Sequence, residues 1–249
     1  MTTLVIIQAR MSSTRFPGKV LIKLQQKPLL QWMIERVEQC SLVDKVVIAT
    51  STCVDDDPIS EWCAVNNRTC YRGDLENVLS RFYHAATHFN AQTIIRLTAD
   101  CPIIDPKVID EHIYFYQKHN YDYVSNGPVM TYPDGMGVEV FSYQALKKTY
   151  QEATLFSEKE HVTAYIYKHP EVFTLFNMLY KKDYSGIRIT IDYPEDFTLV
   201  KNIADALQPT MTSFSLEDII NYIEKNPDIL NLNNKHSPNE GYELSLLKD

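Results

Sequence analysis

Short apolar, β-branched runs alternate with helix-patterned segments through the first half of the chain, and this alternation limits what the chain can fold into. Leu4–Ile7, Lys45–Thr50 (KVVIAT), Thr69–Tyr71 and Thr93–Thr98 (TIIRLT) have the length and side chains of buried strands. Between them, Leu29, Leu30, Met33, Ile34 and Val37 recur at helical spacing after Pro28. Pro58–Asn67 predicts a second helix, and the turn Gly73-Asp74-Leu75-Glu76-Asn77 leads into a third, ending near His88. Pro106 opens a fourth, to about His119, with Asp105 as its N-cap. Such spacing means βαβ units and a mainly parallel sheet.

From Tyr121 the pattern loosens. Asp122–Ser125 and Val138–Phe141 read as strands around a Pro- and Gly-interrupted loop, Gly127–Gly137. Ser142 can cap a helix, and Ser157-Glu158-Lys159-Glu160 has the spacing of a capping box, predicting a helix to Tyr167. Val172–Leu179 alternates like an edge strand, Ile187–Ile191 reads as the last core strand, and Pro194 sits in the first turn of a helix. Ser215 starts another, to about Lys225. One domain over residues 1–231 follows, with a polar tail, 232–249, expected to be loosely ordered.

Composition narrows the partners. At 249 residues and a net charge of −8, the chain is globular in type and a poor nucleic-acid binder. It has no run of about 18 apolar residues that would span a membrane, and no basic-then-apolar leader. Its five cysteines lack C-x-x-C pairs, which suits reduced thiols in a cytoplasm.

The chemistry gathers after the first strand. Arg10, Ser12, Ser13, Thr14, Arg15, Gly18 and Lys19 follow directly on Leu4–Ile7. Hydroxyls, a planar guanidinium fork and a mobile ammonium are what a phosphate chain needs. A Walker A loop and a G-x-G-x-x-G fingerprint are both absent. A positive pocket in an acidic surface selects small anions.

Farther on, Arg96–Asp100 and Arg188–Asp192 share the spelling R-x-T-x-D. On a strand this sets Arg, Thr and Asp on one face, with Asp at the carboxyl end, where open α/β sheets bind ligands. Asp100 and Asp192 meeting over the loop would hold Mg²⁺, which takes one or two carboxylates plus substrate phosphates. The competing reading is a structural Arg–Asp pair, or an Asp that caps a turn. Gly73, Asp74 and Asn77 are candidates to read a nucleobase or ribose, or equally to cap a helix. Cys101 is a small filler, and Asp55-Asp56-Asp57 an acidic surface turn rather than a D-x-D metal motif.

QARMSSTRFPGKVL resembles the opening of the cytidylyltransferases that activate sugars as CMP derivatives, and most closely the branch named after spore coat polysaccharide protein F. That branch reads Q-A-R-M-[GS]-S-T-R-x-P-G-K-V-L; Ser12 stands where Gly is common and Phe16 where Leu is common. Thr98–Pro102 matches its T-A-D-C-P segment and Asp192–Phe197 its D-[YT]-P-E-D-[FL] segment. RGDLENVLSRF (Arg72–Phe82), YPDGMGVEVF (Tyr132–Phe141) and EKEHVTAYIY (Glu158–Tyr167) match as well, so the resemblance runs from Leu4 to Val200.

It implies a nucleotide-diphospho-sugar-transferase-like, doubly wound α/β sheet with an inserted dimerisation lobe at about 127–172. A homodimer would be completed by that lobe, which carries Tyr132, Tyr143, Tyr150, Tyr165 and Tyr167. It implies a triphosphate loop of Ala9, Arg10, Met11, Ser12, Ser13, Arg15 and Lys19, with Thr98 and Asp100 beside the nucleotide and Asp100 and Asp192 on the metal. Glu139 and His161 are candidates to meet the sugar, or else a solvated charge and a structural histidine. The implied reaction moves CMP from CTP to an acidic 2-keto sugar and releases pyrophosphate. Open alternatives are a sugar- or polyol-phosphate acceptor, a glycosyltransferase of the same fold, or a non-catalytic nucleotide-binding subunit. On this reading, loss of Arg15 or Lys19 spares folding and cuts turnover by at least about a hundredfold.

Overall fold

The computed structural model describes residues 2–208, 213–236 and 240–249, so part of the expected tail, 237–239, lies outside the described residues. In chain order, β1 (Thr3–Gln8) leads to a small hairpin, β2 (Lys23–Leu24) and β3 (Lys27–Pro28), and to α1 (Leu29–Val37). Then come β4 (Lys45–Ser51), α2 (Asp57–Val65), β5 (Cys70–Gly73), α3 (Val78–His88), β6 (Thr93–Thr98) and α4 (Pro106–Lys118). The second half holds β7 (Tyr123–Ser125), β8 (Glu139–Ser142), α5 (Tyr143–Glu152), α6 (Phe156–Glu160), α7 (Ala164–Lys168) and β9 (Leu175–Asn177). Three more helices are α8 (Pro194–Leu207), α9 (Leu216–Lys225) and α10 (Glu240–Leu246).

Among the described residues, seven strands form one sheet in the order β5-β4-β1-β6-β8-β7-β9. β5, β4, β1 and β6 run parallel, β8 runs against β6 and β7, and β9 lies parallel to β7. The apolar runs are buried on both sides, as central parallel strands are. Val5, Ile7, Ile48, Ile95 and Leu97 face one core with α1, α2, α4, α8 and α9. Leu4, Ile6, Val47, Ala49 and Ile94 face the other with α3, α5 and α7. The stretch expected as a lobe contributes β8 to the middle of the sheet and Ala145, Leu146, Val162 and Ile166 to the second core.

Caps read from the sequence hold. Asp105 accepts from Lys107 N (2.9 Å), Ser142 from Ala145 N (2.9 Å) and Ser215 from Asp218 N (3.2 Å). Three expectations change. Ile187–Ile191 is no strand of the sheet: apart from a single bridge between Asp134 and Arg188, its backbone is held piecemeal. Ile189 N and Thr190 N both donate to Asp134 O (2.7 and 3.1 Å), and Ile191 N to Asp100 O (2.8 Å). Second, the helix expected from Ser157 to Tyr167 is broken in two. Val162 takes φ 54, a costly conformation for a β-branched residue, and its side chain is wholly buried. Glu158 caps two residues earlier than expected, accepting from Leu155 N (3.2 Å), while Ser157 donates to Asp249 (2.7 Å). Third, the tail expected to be loose carries α10, which packs on α6.

Gly135 makes the crossing of two loops possible. It has φ +113, and a Cβ there would sit 2.8 Å from Ile189 C and from Thr190 N. Both of those atoms are backbone, so neither can swing aside. Gly135→Ala should therefore cost about 2–4 kcal/mol, the range of strained special positions. Urea unfolding checks this, and a loss under about 1 kcal/mol would show that the two segments can part.

Candidate active site

β1 delivers the cationic loop to the carboxyl end of the sheet. Ala9 is buried and its N–H still pairs with Ala49 O (3.0 Å). The chain then turns tightly, with Ser13 N and Gly18 N both donating to Met11 O (2.9 Å each) and Phe16 N to Ser13 Oγ (3.2 Å). Gly18, at φ 70, supplies the left-handed residue that the turn needs. Asp56 anchors the loop from below: it is 1% exposed, accepts from Met11 N (2.7 Å) and is bonded to Ser51. The acidic surface turn expected at Asp55–Asp57 is thus corrected at Asp56, because burial is offset by donors from two strand ends. Arg10 and Ser12 stay exposed, Arg10 lying 3.8 Å from Glu160. Arg15 and Lys19 turn inward.

Lys19 Nζ lies 2.8 Å from Asp192, 3.2 Å from Asp100 and 2.6 Å from Ile191 O. Burial alone would lower the Lys19 pKa, but the two carboxylates outweigh it and raise it. Burial alone would raise that of Asp100; Lys19, with hydrogen bonds from Thr98 and Cys101, brings it down to about 2. Arg15 reaches Asp192 (2.8 Å) and Glu240 (3.1 Å) and lies over the Tyr193 ring at 5.2 Å. Loop and both aspartates therefore meet at one point.

Arg188 gathers a second layer, contacting Asp134 (2.9 Å), Asp192 (3.0 Å) and Asp196 (3.0 Å). Asp196 is fully buried and also accepts from Asp192 N and Tyr193 N (2.9 Å each), which fixes the backbone that presents Asp192. Asn233 closes the group, donating to Asp196 (2.7 Å) and to Arg188 O (3.0 Å). Asp134 is raised to about 6, first by burial and then by Asp100, Asp192 and Asp196, against the pull of Arg188. Asp134, Asp196 and Asn233 were not singled out from the sequence. The first two lie inside YPDGMG and DYPED, where a carboxylate after Pro, or third in a helix, was the available signal. Of the two R-x-T-x-D segments, Arg188 does pair with its Asp. Arg96 instead pairs with Glu139, directly opposite it on β8.

The remaining candidates have partners of their own. Asp74 accepts from Asn77 N (2.7 Å) and Asn77 caps α3 by accepting from Ser80 N (2.9 Å). At Gly73 a Cβ would meet Arg81 Cγ at 2.9 Å, and buried Arg81 donates to Asp74 O (2.6 Å) and Leu75 O (3.0 Å). That turn is held by these bonds, and it lies at the end of β5. Thr98 Oγ1 sits 3.6 Å from Cys101 Sγ, and Cys101 is buried as a filler. Glu139 accepts from Tyr123 (2.7 Å), Arg96 and Thr163. His161 Nε2 is 2.9 Å from Ser245 Oγ, and burial, with Arg96 adding, lowers it to about 4, so the ring is neutral near pH 7.

A family model described as Cytidylyltransferase matches residues 4–234. The chain belongs to the cytidylyltransferase family. It is 33% identical over 237 residues to the spore coat polysaccharide biosynthesis protein SpsF of Bacillus subtilis, covering 90% of this chain and 95% of that one. It is similar to the structure of a cytidylyltransferase from Leptospira borgpetersenii, with TM-score 0.88, 32% identity, and 92% and 97% of the two chains covered. A 110-residue stretch is 38% identical to a 3-deoxy-manno-octulosonate cytidylyltransferase of Pelobacter propionicus, over 43% of this chain and 42% of that one. The family makes this chain a CTP-dependent nucleotidyltransferase, and the fold agrees.

Does the cytidylyltransferase site suit a divalent cation? Asp100 and Asp192 both reach a single atom, the Lys19 ammonium, so they converge on a cation position. Among the described residues no three His, Cys, Asp or Glu side chains are grouped to hold a metal alone. Two carboxylates that leave most of the shell to phosphate and water are what Mg²⁺ accepts, and the residues fit it. Among the described residues no helix of this cytidylyltransferase is long and apolar enough to cross a membrane.

Proposed function

We propose that the enzyme transfers CMP from CTP to an acidic 2-keto sugar, releasing pyrophosphate, as a cytoplasmic step in building a surface polysaccharide or glycan. The observation that carries this is the meeting of Asp100 and Asp192 on Lys19 of the cationic loop, within 3.2 Å. A loop of this kind beside two carboxylates handles a triphosphate whose leaving group must be held. The choice of sugar draws on the name of the Pelobacter propionicus relative.

Asp100 and Asp192 would hold Mg²⁺, which when bound neutralises charge developing on the phosphates. Arg15 and Lys19 take the β- and γ-phosphate oxygens, and Arg10, exposed at the rim, joins them. The sugar hydroxyl gives up its proton to water as its oxygen bonds to the α-phosphorus, the bond to the bridging oxygen breaks, and pyrophosphate departs into the cations. The protein acts by placement and electrostatics rather than by covalent chemistry. Asp74 and Asn77 flank the base through their turn, and Glu139 and His161 stand on the acceptor side. Arg188, Asp134 and Asp196 hold Asp192 in position. The chain pairs as a homodimer through the stretch at about 127–172, where Tyr143, Tyr150, Tyr165 and Tyr167 stay partly open to solvent.

Pyrophosphate release over four nucleoside triphosphates and a panel of sugars tests the reading, with light scattering on the same preparation. CTP with a 2-keto sugar acid, and a dimer mass, are expected. Preference for a sugar phosphate, or turnover without pyrophosphate, would replace the acceptor or the reaction class; a monomer mass would remove the dimer.

A further inference from the structure

The C-terminal helix grips both halves of the site. At its start, Glu240 accepts from Arg15 (3.1 Å) and from the Tyr193 hydroxyl (2.8 Å). At its far end, Ser245 Oγ lies 2.9 Å from His161 Nε2 and donates to Glu160, which faces Arg10. Tyr242 packs edge-on against His161, ring centres 5.0 Å apart, and Asp249 ties down Ser157 (2.7 Å). α10 therefore runs from the phosphate loop to the acceptor residues.

Glu240 occupies N–H groups that a triphosphate needs. Asp192 shares the same guanidinium, but Asp192 faces the cation position and Glu240 does not. An arriving triphosphate competes with Glu240 for Arg15 and repels its carboxylate. The side chains of Arg15 and Glu240 are 26% and 27% exposed, and a pair so open to water is weak enough to be displaced.

We propose that Glu240 latches α10 over the nucleotide-free site, and that the triphosphate chain releases the latch and uncovers the acceptor side around His161. Nucleotide then binds before sugar. The inference rests on the assignments of Arg15 to the phosphates and of His161 to the acceptor side made above. The two sites are coupled through one helix that only the nucleotide-free state holds down.

Amide hydrogen exchange over residues 240–249 of the full chain reads the latch directly, since it reports local opening. It is measured with no ligand, with Mg²⁺ and CTP, and with Mg²⁺ and inorganic tripolyphosphate, always without sugar. Either ligand is expected to speed exchange there by about tenfold or more. Glu240→Gln should exchange fast from the start and bind both ligands about three to ten times more tightly, the scale for removing one partly exposed charge pair and one repulsion. Tyr193→Phe, which weakens the latch while keeping its charge, should shift exchange in the same direction by less. Unchanged or slower tail exchange in protein that binds CTP, or weaker binding by Glu240→Gln, would overturn the latch. Loosening by tripolyphosphate in protein that ignores CTP would keep the latch and remove the cytidylyl reading. Binding of neither ligand would remove both.

Discussion

Lys19→Ala should release pyrophosphate at no more than about one hundredth of the wild-type rate, the scale for losing one preorganised charge-stabilising group. It should also melt early. Taken as a loop residue, Lys19 would be dispensable for folding; in the structure it is 7% exposed and stands between two aspartates. Without it Asp100 and Asp192 repel across a partly dry gap, and breaking such a contact costs about 3–5 kcal/mol. A divalent cation can fill the same gap, so millimolar Mg²⁺ should restore much of the lost melting temperature and none of the rate. Calorimetry with and without Mg²⁺, beside a pyrophosphate assay, checks both halves. Near-normal turnover would take Lys19 out of the chemistry. A melting deficit blind to Mg²⁺ would mean that the gap is no cation position.

Asp100→Asn and Asp192→Asn should each abolish most activity, with the double substitution little worse than the worse single, because groups that act as a unit are strongly non-additive. Their stabilities should differ. Asp192 faces Arg15, Lys19 and Arg188, so its neutralisation strands more buried charge than that of Asp100, which pairs with Lys19 alone among the described residues. Asp192→Asn should therefore melt lower. The Mg²⁺ midpoint of whichever single variant stays measurable should move to higher concentration. A large melting loss with an unchanged Mg²⁺ midpoint would leave Asp192 as the arginine's counter-ion only and end the metal assignment.

These residues also show how far the sequence can be read. β1, β4 and β6 were legible because a central parallel strand is buried on both faces and so spells a continuous apolar run. The cationic loop was legible because its charges follow such a run at once. Ile187–Ile191 misled for the opposite reason. Its isoleucines alternate along the chain as a strand's do, yet Ile189 N and Thr190 N go to the Asp134 carbonyl and Ile191 N to that of Asp100, on two different loops. An alternating apolar spelling reports which side chains join the core, not which backbone they pair with. The break at Val162 had no local sign, since nothing marks a valine for a left-handed turn except the core that encloses it. The role of Asp56 was hidden because its donor, Met11 N, lies 45 residues away and only the fold brings it near; Asp196 caps its own helix locally, and what the sequence hid was its contact with distant Asn233. The tail's contacts were illegible since α10 docks through polar side chains, which leave little periodic trace.

The strand order has a consequence for how the chain comes off the ribosome. β7 is made before β8, yet β8 is the strand that lies between it and β6. The first four long strands can assemble as they emerge, while β7 has no neighbour to pair with until β8 has been synthesised and threaded into the middle of the sheet. Asp192 and Glu240 appear later still, after every strand has been made. A nascent chain thus displays a nearly finished scaffold with Lys19 and Asp100 in place and their counterpart missing. Translation pausing before β8 would hold β6 as an open edge, the state in which an apolar strand recruits a stranger.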